Sequence, residues 1–503
     1  MDQPGSTYRP PTLADIYGQV LLASLGVGAG IESAVIPPQS STEKNYWHEA
    51  HSLESLNDWA QSGLMYLTGD PSLPPALGPG HIPTCARGAL QALTLVCTDL
   101  TSTDLNPLQA QLAALNGAML LTERAAILGL KRQGNISPNG TCQMIKLRDG
   151  WLALNLARAD DWQLLPAWLQ TDTHFHSWQQ IHAALAPLSL ASLVEQGRLL
   201  GLAISTPPAT SQDTHWFNAT HTNKRNTQPN SESQPLIVDL SALWAGPLCS
   251  HLLQLAGARV IKIESQQRPD GARLGSAAFY QLLNNGKHSV VLNLHEERGR
   301  RQLQQLINHA DIVIEGSRPR ALRQLGIDAA AIVNNKPGLV WLSITGYGRQ
   351  EPEANWIAYG DDAAVAAGIT QAATQSTTHP TMQQQNFCGD ALCDPLTGIH
   401  AALAAQSFWR NGIGAVLDIS LVNVAKHCVN FAKELPLRHV LKKDEKLERW
   451  FLARDHQRIE IQLPHHRSTV MTDHRLGSLW DHLVAKPLGA DTEQIFSEFN
   501  ISC

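Results

Sequence analysis

The sequence lacks the features of a disulfide-bonded, metal-binding or membrane-spanning protein. Its eight cysteines are scattered along 503 residues, and none forms the CxxC pair that zinc sites and redox motifs use. No apolar run approaches the roughly 20 residues that cross a bilayer. We therefore expect idle thiols in a reducing compartment and no membrane partner.

Basic charge and enzyme motifs are also scarce. With a net charge of −6, the chain has no basic stripe for nucleic acid. No HExxH pattern accompanies its 21 histidines, so neither a metallohydrolase nor a bound metal is expected. Residues 1–11 lack the basic-then-apolar design of a signal peptide, which favours a cytoplasmic location.

A polar segment, residues 206–235, divides the chain. It is rich in Pro, Ser, Thr and Asn and has no apolar period, which is typical of a linker. The 503 residues exceed what one ordinary core needs, so two or more domains are expected. The linker separates an amino-terminal half, residues 1–205, from a carboxy-terminal half that begins at Leu236.

In the carboxy-terminal half, apolar runs of strand length alternate with helical patterns. This alternation predicts an α/β fold with a doubly wound, mostly parallel, Rossmann-like sheet and ligand chemistry outside the carboxyl ends of its strands. The loop after the first run, SALWAGP, has no GxGxxG, so no dinucleotide site is expected. The runs are LIVDL at 236–240, RVIKIE at 259–264, HSVVLNL at 288–294, DIVIEG at 311–316 and LVWLSIT at 339–345.

A series of ordered motifs in this half carries a resemblance to a known family. They include DLSALWAGP at 239–247, LAGARVIKIE at 255–264, ADIVIEGSRP at 310–319, SITGYG at 343–348 and CDPLTGIHAALAA at 393–405. Together they resemble the family III CoA-transferases, which group formyl-CoA and carnitine CoA-transferases with 2-methylacyl-CoA racemases. The resemblance implies the family's Rossmann-like fold with a smaller α+β domain, and an interlocked homodimer.

The amino-terminal half resembles a truncated copy of the same family. Trp59–Pro75 is similar to the segment that precedes the family's catalytic aspartate. The aspartate motif then runs from Thr84 to Gly88 and lacks the carboxylate. Residues 136–162 are similar to the start of the family's small domain.

These resemblances predict how the chain is divided. Residues 1–205 are expected to be a degenerate half-repeat that supplies the small domain, and 206–235 to be the linker. Residues 236–430 are expected to form the CoA-binding domain with the catalytic aspartate, and 431–503 to complete the fold.

The family's chemistry implies an aspartate nucleophile that acts on a CoA thioester. Asp394 keeps the Asp-x-x-x-Gly spacing with Gly398, so it is predicted to form an aspartyl-acyl anhydride and then an aspartyl-CoA thioester. Because Pro395 suits a first helical position, Asp394 is also predicted to cap a helix. Asp390 is the alternative nucleophile. The implied substrates are an acyl-CoA and a carboxylic acid, with no permanently bound cofactor.

The resemblance also implies positions for the CoA part, in the loop after the first strand and at nearby cations. Cations suit a ligand with several phosphate charges. Since Trp244 stands where the formyl-CoA enzymes have a glutamine, an apolar acyl group is favoured over a small dicarboxylate. The predicted contacts are Trp244, Ala245, Gly246, Lys262, Arg273, Lys287 and Arg318.

Two alternative functions stay open at this point. Racemases of the family carry a proton-shuttling histidine, but Tyr359 falls at that position, and a phenol with a pKa of about 10 is a poor base. A non-catalytic CoA-binding paralogue would account for the departure at Arg410–Ala415, which reads RNGIGA instead of the family's RTGRGQ. Retention of Asp394 favours the transferase.

Overall fold

The computed structural model describes most of the chain. The described residues are 10–26, 41–97, 106–210, 214–230, 233–373, 384–454, 457–467 and 484–502. Among them, no helix combines the length and the apolar character that crossing a membrane requires. The same residues contain no group of three or more His, Cys, Asp or Glu side chains placed to hold a metal ion.

Helices are spread over both halves of the chain. The α-helices are α1 Leu13–Ser24, α2 Ser41–Gln61, α3 Ile82–Cys97, α4 Pro107–Ala114, α5 Gly117–Leu120, α6 Glu123–Leu128, α7 Ala159–Trp168, α8 Trp178–Leu185, α9 Leu190–Leu200, α10 Ala245–Leu255, α11 Ala277–Asn284, α12 Glu297–His309, α13 Pro319–Gln324, α14 Ala329–Asn335, α15 Gly360–Ala366, α16 Cys393–Arg410, α17 Leu421–Asn430 and α18 Thr492–Glu498. Short 3₁₀ turns cover Leu64–Leu67, Gly271–Leu274 and Glu353–Asn355.

Strands form one large sheet and three small ones. They are β1 Cys142–Lys146, β2 Trp151–Asn155, β3 Ala203–Ser205, β4 Asn218–Lys224, β5 Leu236–Asp239, β6 Arg259–Ser265, β7 His288–Leu292, β8 Ile312–Glu315, β9 Val340–Thr345, β10 Thr370–Ala373, β11 Gln384–Phe387, β12 Ile413–Ser420, β13 Val440–Asp444, β14 Arg449–Arg454 and β15 Gln457–Glu460.

The large sheet has seven strands in the order β4-β12-β9-β8-β5-β6-β7. All neighbours are parallel except β4, which pairs antiparallel with β12 at the edge. The chain starts the parallel part at β5, builds outward through β6 and β7, and then returns to β8 on the other side of β5. This arrangement confirms the predicted doubly wound sheet, and it creates a topological switch point between β5 and β8.

The sheet is buried on both faces, which explains why its strands read as continuous apolar runs. Ile237 of β5 and Ile312 of β8 face a core that contains α10 and α16. Their neighbours Val238 and Val313 face a second core, formed with α12 and α14. Because successive side chains alternate between faces, one short apolar run supplies both cores.

A strand lies inside the segment that the sequence predicts to be a linker. β4, with the sequence NATHTNK, is mostly exposed and pairs with β12 from Asn218 to Lys224. The prediction is therefore wrong for these residues. An edge strand is held by its backbone hydrogen bonds, so a polar and exposed sequence gives no apolar period to detect. Residues 211–213 and 231–232 lie outside the described part of this segment.

A smaller α+β unit occupies residues 142–205. Its antiparallel sheet has the order β1-β2-β3 and packs with α7, α8 and α9 around a separate apolar core. Trp168 of α7 lies inside this core, where its indole Nε1 donates to the Leu193 carbonyl at 2.8 Å. The unit lies before the large sheet in the chain, and its strands β2 and β3 pack against α15, which in turn packs against α16 and α17.

The remaining amino-terminal helices pack onto the large sheet's own helices. α3 lies between α1 and α16, and all three share one apolar core. Thr84, at the place where the degenerate motif lacks its carboxylate, is buried and donates its hydroxyl to Asp58 at 2.8 Å. Gly88 permits the close α1–α3 contact, because a Cβ there would overlap the Ala14 carbonyl.

Candidate active site

A pocket of about 260 Å³ lies at the switch point of the sheet. The loops after β5, β8 and β9 line it, and the start of α17 closes one side. In a doubly wound sheet, this crevice is the usual position of a ligand. Its lining includes Ser241, Ala242, Leu243, Ala245, Gly246, Gly316, Ser317, Arg318, Pro319, Ile344, Thr345, Gly346, Trp356, Tyr359, Asp394 and Leu421.

Asp394 is partly exposed in this pocket. The predicted cap is wrong by two residues, since α16 begins at Cys393 with Leu392 as its N-cap. Leu392 already has right-handed helical angles, with φ −56° and ψ −30°, so the helix starts before Asp394. Instead, the Asp394 carboxylate accepts a hydrogen bond from the Ala245 N–H, the first residue of α10. It thus caps a neighbouring helix whose own N-cap side chain makes no capping bond.

The protein environment raises the pKa of Asp394 to about 7, chiefly because burial penalises its charged form. The Arg124 guanidinium opposes this effect, whereas the carboxylates of Asp361 and Asp390 add to it. Asp394 therefore changes its charge near neutral pH. This suits a nucleophile that is ionised when it attacks and becomes uncharged when it forms a covalent bond.

Gly360 gives Asp394 the room that it needs. A Cβ at this position would overlap the Asp394 Oδ2 atom and the Ala391 carbonyl. The backbone of α15 therefore passes directly beside the carboxylate, and only glycine permits this approach.

Asp390 lies in a different environment, beneath the pocket. It has no exposed surface, and Arg124 holds it with two hydrogen bonds, from Nε to Oδ2 and from Nη2 to Oδ1, both 2.7 Å long. Asn139 Nδ2 lies 3.1 Å from Asp390 Oδ1 and 2.7 Å from Asp361 Oδ2. The alternative nucleophile is thus enclosed and paired, while Asp394 faces the pocket.

Tyr359 lines the same pocket, and its backbone N–H bonds to Asp362 Oδ1 at 3.0 Å. Burial raises the pKa of the Tyr359 phenol, which makes it a still weaker proton acceptor at neutral pH. Burial also raises the pKa of Asp362 to about 7, while Asn155 donates to its carboxylate at 3.0 Å. These observations do not favour the racemase alternative.

A wider cavity of about 1200 Å³ adjoins the pocket. It lies between α7 and α9 of the small domain and the loops that follow β8 and β9. The two spaces share Arg158, Arg318, Trp356 and Ile357 in their walls. Arg198 of α9 reaches across the boundary, with its guanidinium carbon 3.7 Å from the centre of the Trp356 ring.

Arginines concentrate where the two spaces meet. Burial and the nearby cations Arg320, Arg158 and Arg268 lower the pKa of Arg318. Arg158 is held by an ion pair with Asp161 at 2.5 Å, so its guanidinium has a fixed position. Guanidinium groups that repel one another provide a favourable site for an anion.

Three of the predicted CoA contacts line the pocket: Ala245, Gly246 and Arg318. Trp244 lines neither space. Its indole is buried, with the Phe279 ring centre at 5.2 Å and the Arg124 guanidinium carbon at 4.9 Å. The apolar acyl group inferred from Trp244 therefore gains no support from its position.

Lys262, Arg273 and Lys287 also lie outside both linings. Lys262 is buried and pairs with Asp270 at 2.8 Å, and Arg273 is bonded to Glu264. Lys287 donates to Ser250 Oγ at 2.7 Å, and burial lowers its pKa to about 8. In this structure their charges are used inside the protein, where they hold the elements around β5 and β6.

Residues 233–449 match the model of CoA-transferase family III. The match contains Asp390, Asp394 and Arg318, and the predicted resemblance is confirmed. Arg124, Asn139 and Arg158 lie before it, so residues outside the family III match help to build the site.

Curated proteins named as CoA-transferases are similar to part of this chain. The acetyl-CoA:oxalate CoA-transferase of Acetobacter aceti is 30% identical over 37% of this chain and 49% of its own length. The succinate–glutarate CoA-transferase of Agrobacterium fabrum is also 30% identical, over 37% of this chain and 50% of its own. The chain thus spans about half the length of the curated relatives it matches.

Solved structures also match part of the chain. A CAIB/BAIF family protein from Brucella suis is 30% identical, covers 39% of this chain and 54% of its own, and has a TM-score of 0.35. Rv3272 from Mycobacterium tuberculosis is 26% identical over 40% of this chain and 55% of its own, with a TM-score of 0.34.

The sequence did not identify several residues of the site. Arg124 lies in the helix ERAAIL, outside every motif of the resemblance. Asn139 lies in the loop before β1, within the segment 136–162 that resembles the start of the small domain, but that resemblance did not mark it as a site residue. Asp361 and Gly360 follow Tyr359, and the segment similar to the racemase motif was the one signal near them. Tertiary contacts alone bring these residues to Asp394.

Proposed function

We propose that the protein is a CoA-transferase that moves CoA from an acyl-CoA donor to a carboxylic acid acceptor, with Asp394 as its nucleophile. The observation that carries this proposal is the position of Asp394. Of the neighbouring carboxylates Asp361, Asp390 and Asp394, it is Asp394 that lines the switch-point pocket. The match of residues 233–449 to the family III model supports the same reaction class.

The proposed reaction conserves the thioester energy. The Asp394 carboxylate attacks the acyl-CoA carbonyl, giving a mixed anhydride and the CoA thiolate. The thiolate then attacks the aspartyl carbonyl, releases the donor acid and forms an aspartyl-CoA thioester. The acceptor carboxylate repeats these steps in reverse, so a new acyl-CoA leaves and Asp394 is regenerated. No hydride or phosphoryl group is transferred.

The two connected spaces suggest where the substrates bind. The cavity of about 1200 Å³ is large enough for the CoA moiety, and Arg318 and Arg320 face it as phosphate partners. The pocket of about 260 Å³ then receives the acyl group beside Asp394. CoA thioesters are substrates in this proposal, and no resident cofactor takes part.

Location and assembly are further parts of the proposal. A cytoplasmic enzyme fits the seven cysteines of the described residues, which are all buried free thiols. The homodimer implied by the family resemblance stays a prediction, which light scattering of the purified protein checks.

Trapping of the covalent intermediate tests the proposal. The protein is incubated with a panel of acyl-CoAs, treated with hydroxylamine or borohydride, and analysed by mass spectrometry. No Lys or Arg lies between Arg349 and Arg410, so trypsin leaves both aspartates on one peptide and fragmentation must locate the label. We expect the label on Asp394.

Two variants complete this experiment. Asp394→Asn is expected to abolish labelling, whereas Asp444→Asn, at the half-buried last residue of β13, is expected to keep it. Label on Asp390 would transfer the nucleophilic role to that residue. Absence of any adduct despite CoA binding would favour the non-catalytic paralogue.

A further inference from the structure

The two halves of the chain meet directly beneath Asp394. Arg124, from α6 of the amino-terminal half, makes a bidentate ion pair with Asp390 just before α16. The same guanidinium lies over the Trp244 ring, next to the first turn of α10. One side chain thus contacts the start of both helices that position the Asp394 carboxylate.

Asn139 extends this contact to a third element. Its side-chain amide bridges Asp390 and Asp361, at 3.1 Å and 2.7 Å. The other oxygen of Asp361 accepts the Ala391 N–H at 2.7 Å. Ala391 has a φ of 42°, a strained conformation for a residue with a Cβ, so this turn depends on the surrounding contacts.

The groups around Asp394 carry more negative than positive charge. Asp361 on α15 and Asp390 before α16 are acidic, and Tyr359 and Cys393 are titratable neighbours without positive charge. The positive charge of Arg124 opposes them and lowers the pKa of Asp394. Three neighbouring carboxyl groups cannot all be ionised in a buried site unless a cation balances them.

We propose that Arg124 is a positioning residue for the reaction, which holds the Asp390 turn in place and supplies the positive charge that lets Asp394 ionise. This inference rests on the proposed function of Asp394. It also assigns a role to the amino-terminal half. This half lacks the aspartate in its own copy of the motif, but it provides the cation for the motif that contains Asp394. The site is then electrostatically complete within one chain.

Opposite shifts of a pH profile test this role. The rate of CoA thiol release in a single turnover is measured from pH 5.5 to 9 with acetyl-CoA and succinyl-CoA as probes. For Arg124→Gln, the midpoint is expected to move up by about one pH unit or more, because a nearby cation has been removed. For Asp390→Asn, the midpoint is expected to move down, because a nearby anion has been removed.

A second measurement needs no substrate. The difference in melting temperature between Asp394→Asn and its parent is followed against pH in the wild-type, Arg124→Gln and Asp390→Asn backgrounds. The pH at which this difference stops growing and reaches its plateau reports the ionisation of Asp394 in the folded protein. The two backgrounds are again expected to move it in opposite directions.

Controls separate folding from electrostatics. Arg124→Lys keeps the charge and is expected to restore most of the wild-type midpoint, while Arg301→Gln on the exposed face of α12 is expected to change nothing. If Arg124→Gln and Asp390→Asn both lose activity while the midpoint of the pH profile stays at the wild-type value, the proposal is wrong. Arg124 would then have only a structural role, in its ion pair with Asp390. If no thioester of the acyl-CoA panel reacts with wild type, the proposed function fails, and the melting data still decide the inference.

Discussion

Asp390 and Asp394 show how environment separates two carboxylates that are four residues apart. Asp390 has its charge satisfied by two guanidinium hydrogen bonds and no access to solvent. Asp394 has one helix N–H as partner and an open side toward the pocket. A paired and enclosed carboxylate is stabilised against attack on a substrate, while a partly desolvated and accessible one is activated for it.

The raised pKa of Asp394 predicts that this residue destabilises the folded protein at neutral pH. Between its ordinary value of 3.8 and its folded value of about 7, the folded state holds a proton that the unfolded state has lost. The cost of charging Asp394 is therefore absent at pH 4 and complete above pH 7. We expect Asp394→Asn to raise the melting temperature by a few degrees at pH 8 and much less at pH 4.5.

Thermal unfolding followed by circular dichroism over this pH range measures the effect. Asp444→Asn is the matched control, because hydrogen bonds from Arg458 and the turn backbone lower the pKa of Asp444. That variant is expected to show no stabilisation at any pH. A constant difference between Asp394→Asn and wild type from pH 4.5 to 8 would contradict the ionisation assigned to Asp394.

At the scale of elements, the site depends on the close crossing of α10 and α16. α10 presents the Ala245 N–H to Asp394, and α16 carries Asp394 itself. Gly398, one turn into α16, sets their separation, since a Cβ there would lie 2.7 Å from the Ala245 carbonyl oxygen. The sequence spacing that identifies Asp394 and Gly398 as a motif thus has a packing reason.

Gly398→Ala is expected to weaken both packing and activity. Helix propensity alone would favour alanine by about 1 kcal/mol, but overpacking typically costs about 1–3 kcal/mol. Because the displaced helix is the one that bonds Asp394, we expect the trapping rate to fall by about tenfold or more, in addition to a lower melting temperature.

The exposed helix substitution Gln304→Ala on α12 serves as control and is expected to leave both quantities unchanged. A Gly398→Ala variant that labels Asp394 at the wild-type rate would show that the two helices tolerate a wider separation.

At the scale of the whole molecule, one apolar core joins the two halves of the chain. It contains Tyr17 and Leu93 of the amino-terminal helices together with Leu396 and Ile399 of α16. Inside it, the Tyr17 hydroxyl lies 2.8 Å from Nε2 of His400. The region that matches family III therefore shares its interior with residues outside the match.

Residues 233–503 expressed alone are expected to lose cooperative folding. Removal of the amino-terminal half exposes the apolar face of α16, and each buried large aliphatic side chain contributes about 1.5–3 kcal/mol. Calorimetry and binding of a hydrophobic fluorescent dye measure this loss. Coexpression with residues 1–232 is expected to restore cooperative unfolding, and a fragment that unfolds like the full chain would contradict the shared core.

The sequence alone was sufficient for much of the second half. All five predicted strands of the parallel sheet are present, because strands buried on both faces read as uninterrupted apolar runs. β4 was missed, because a polar edge strand is held by backbone hydrogen bonds that no side-chain pattern records. The helix boundary at Asp394 was also misplaced, because Leu392 begins the turn although it has no capping side chain.

Local sequence determined the strand order along the chain, the family and the aspartate motif, since each depends on residues close together in the chain. Tertiary structure decided that Lys262 and Lys287 are enclosed and that Asp394 faces the pocket. It also decided that Arg124 reaches Asp390. Arg124 and Asp390 are 266 positions apart, and their ion pair exists because α3 and its neighbouring helices dock on α16. Burial then makes that distant charge matter, because a low dielectric strengthens electrostatic effects that water would screen.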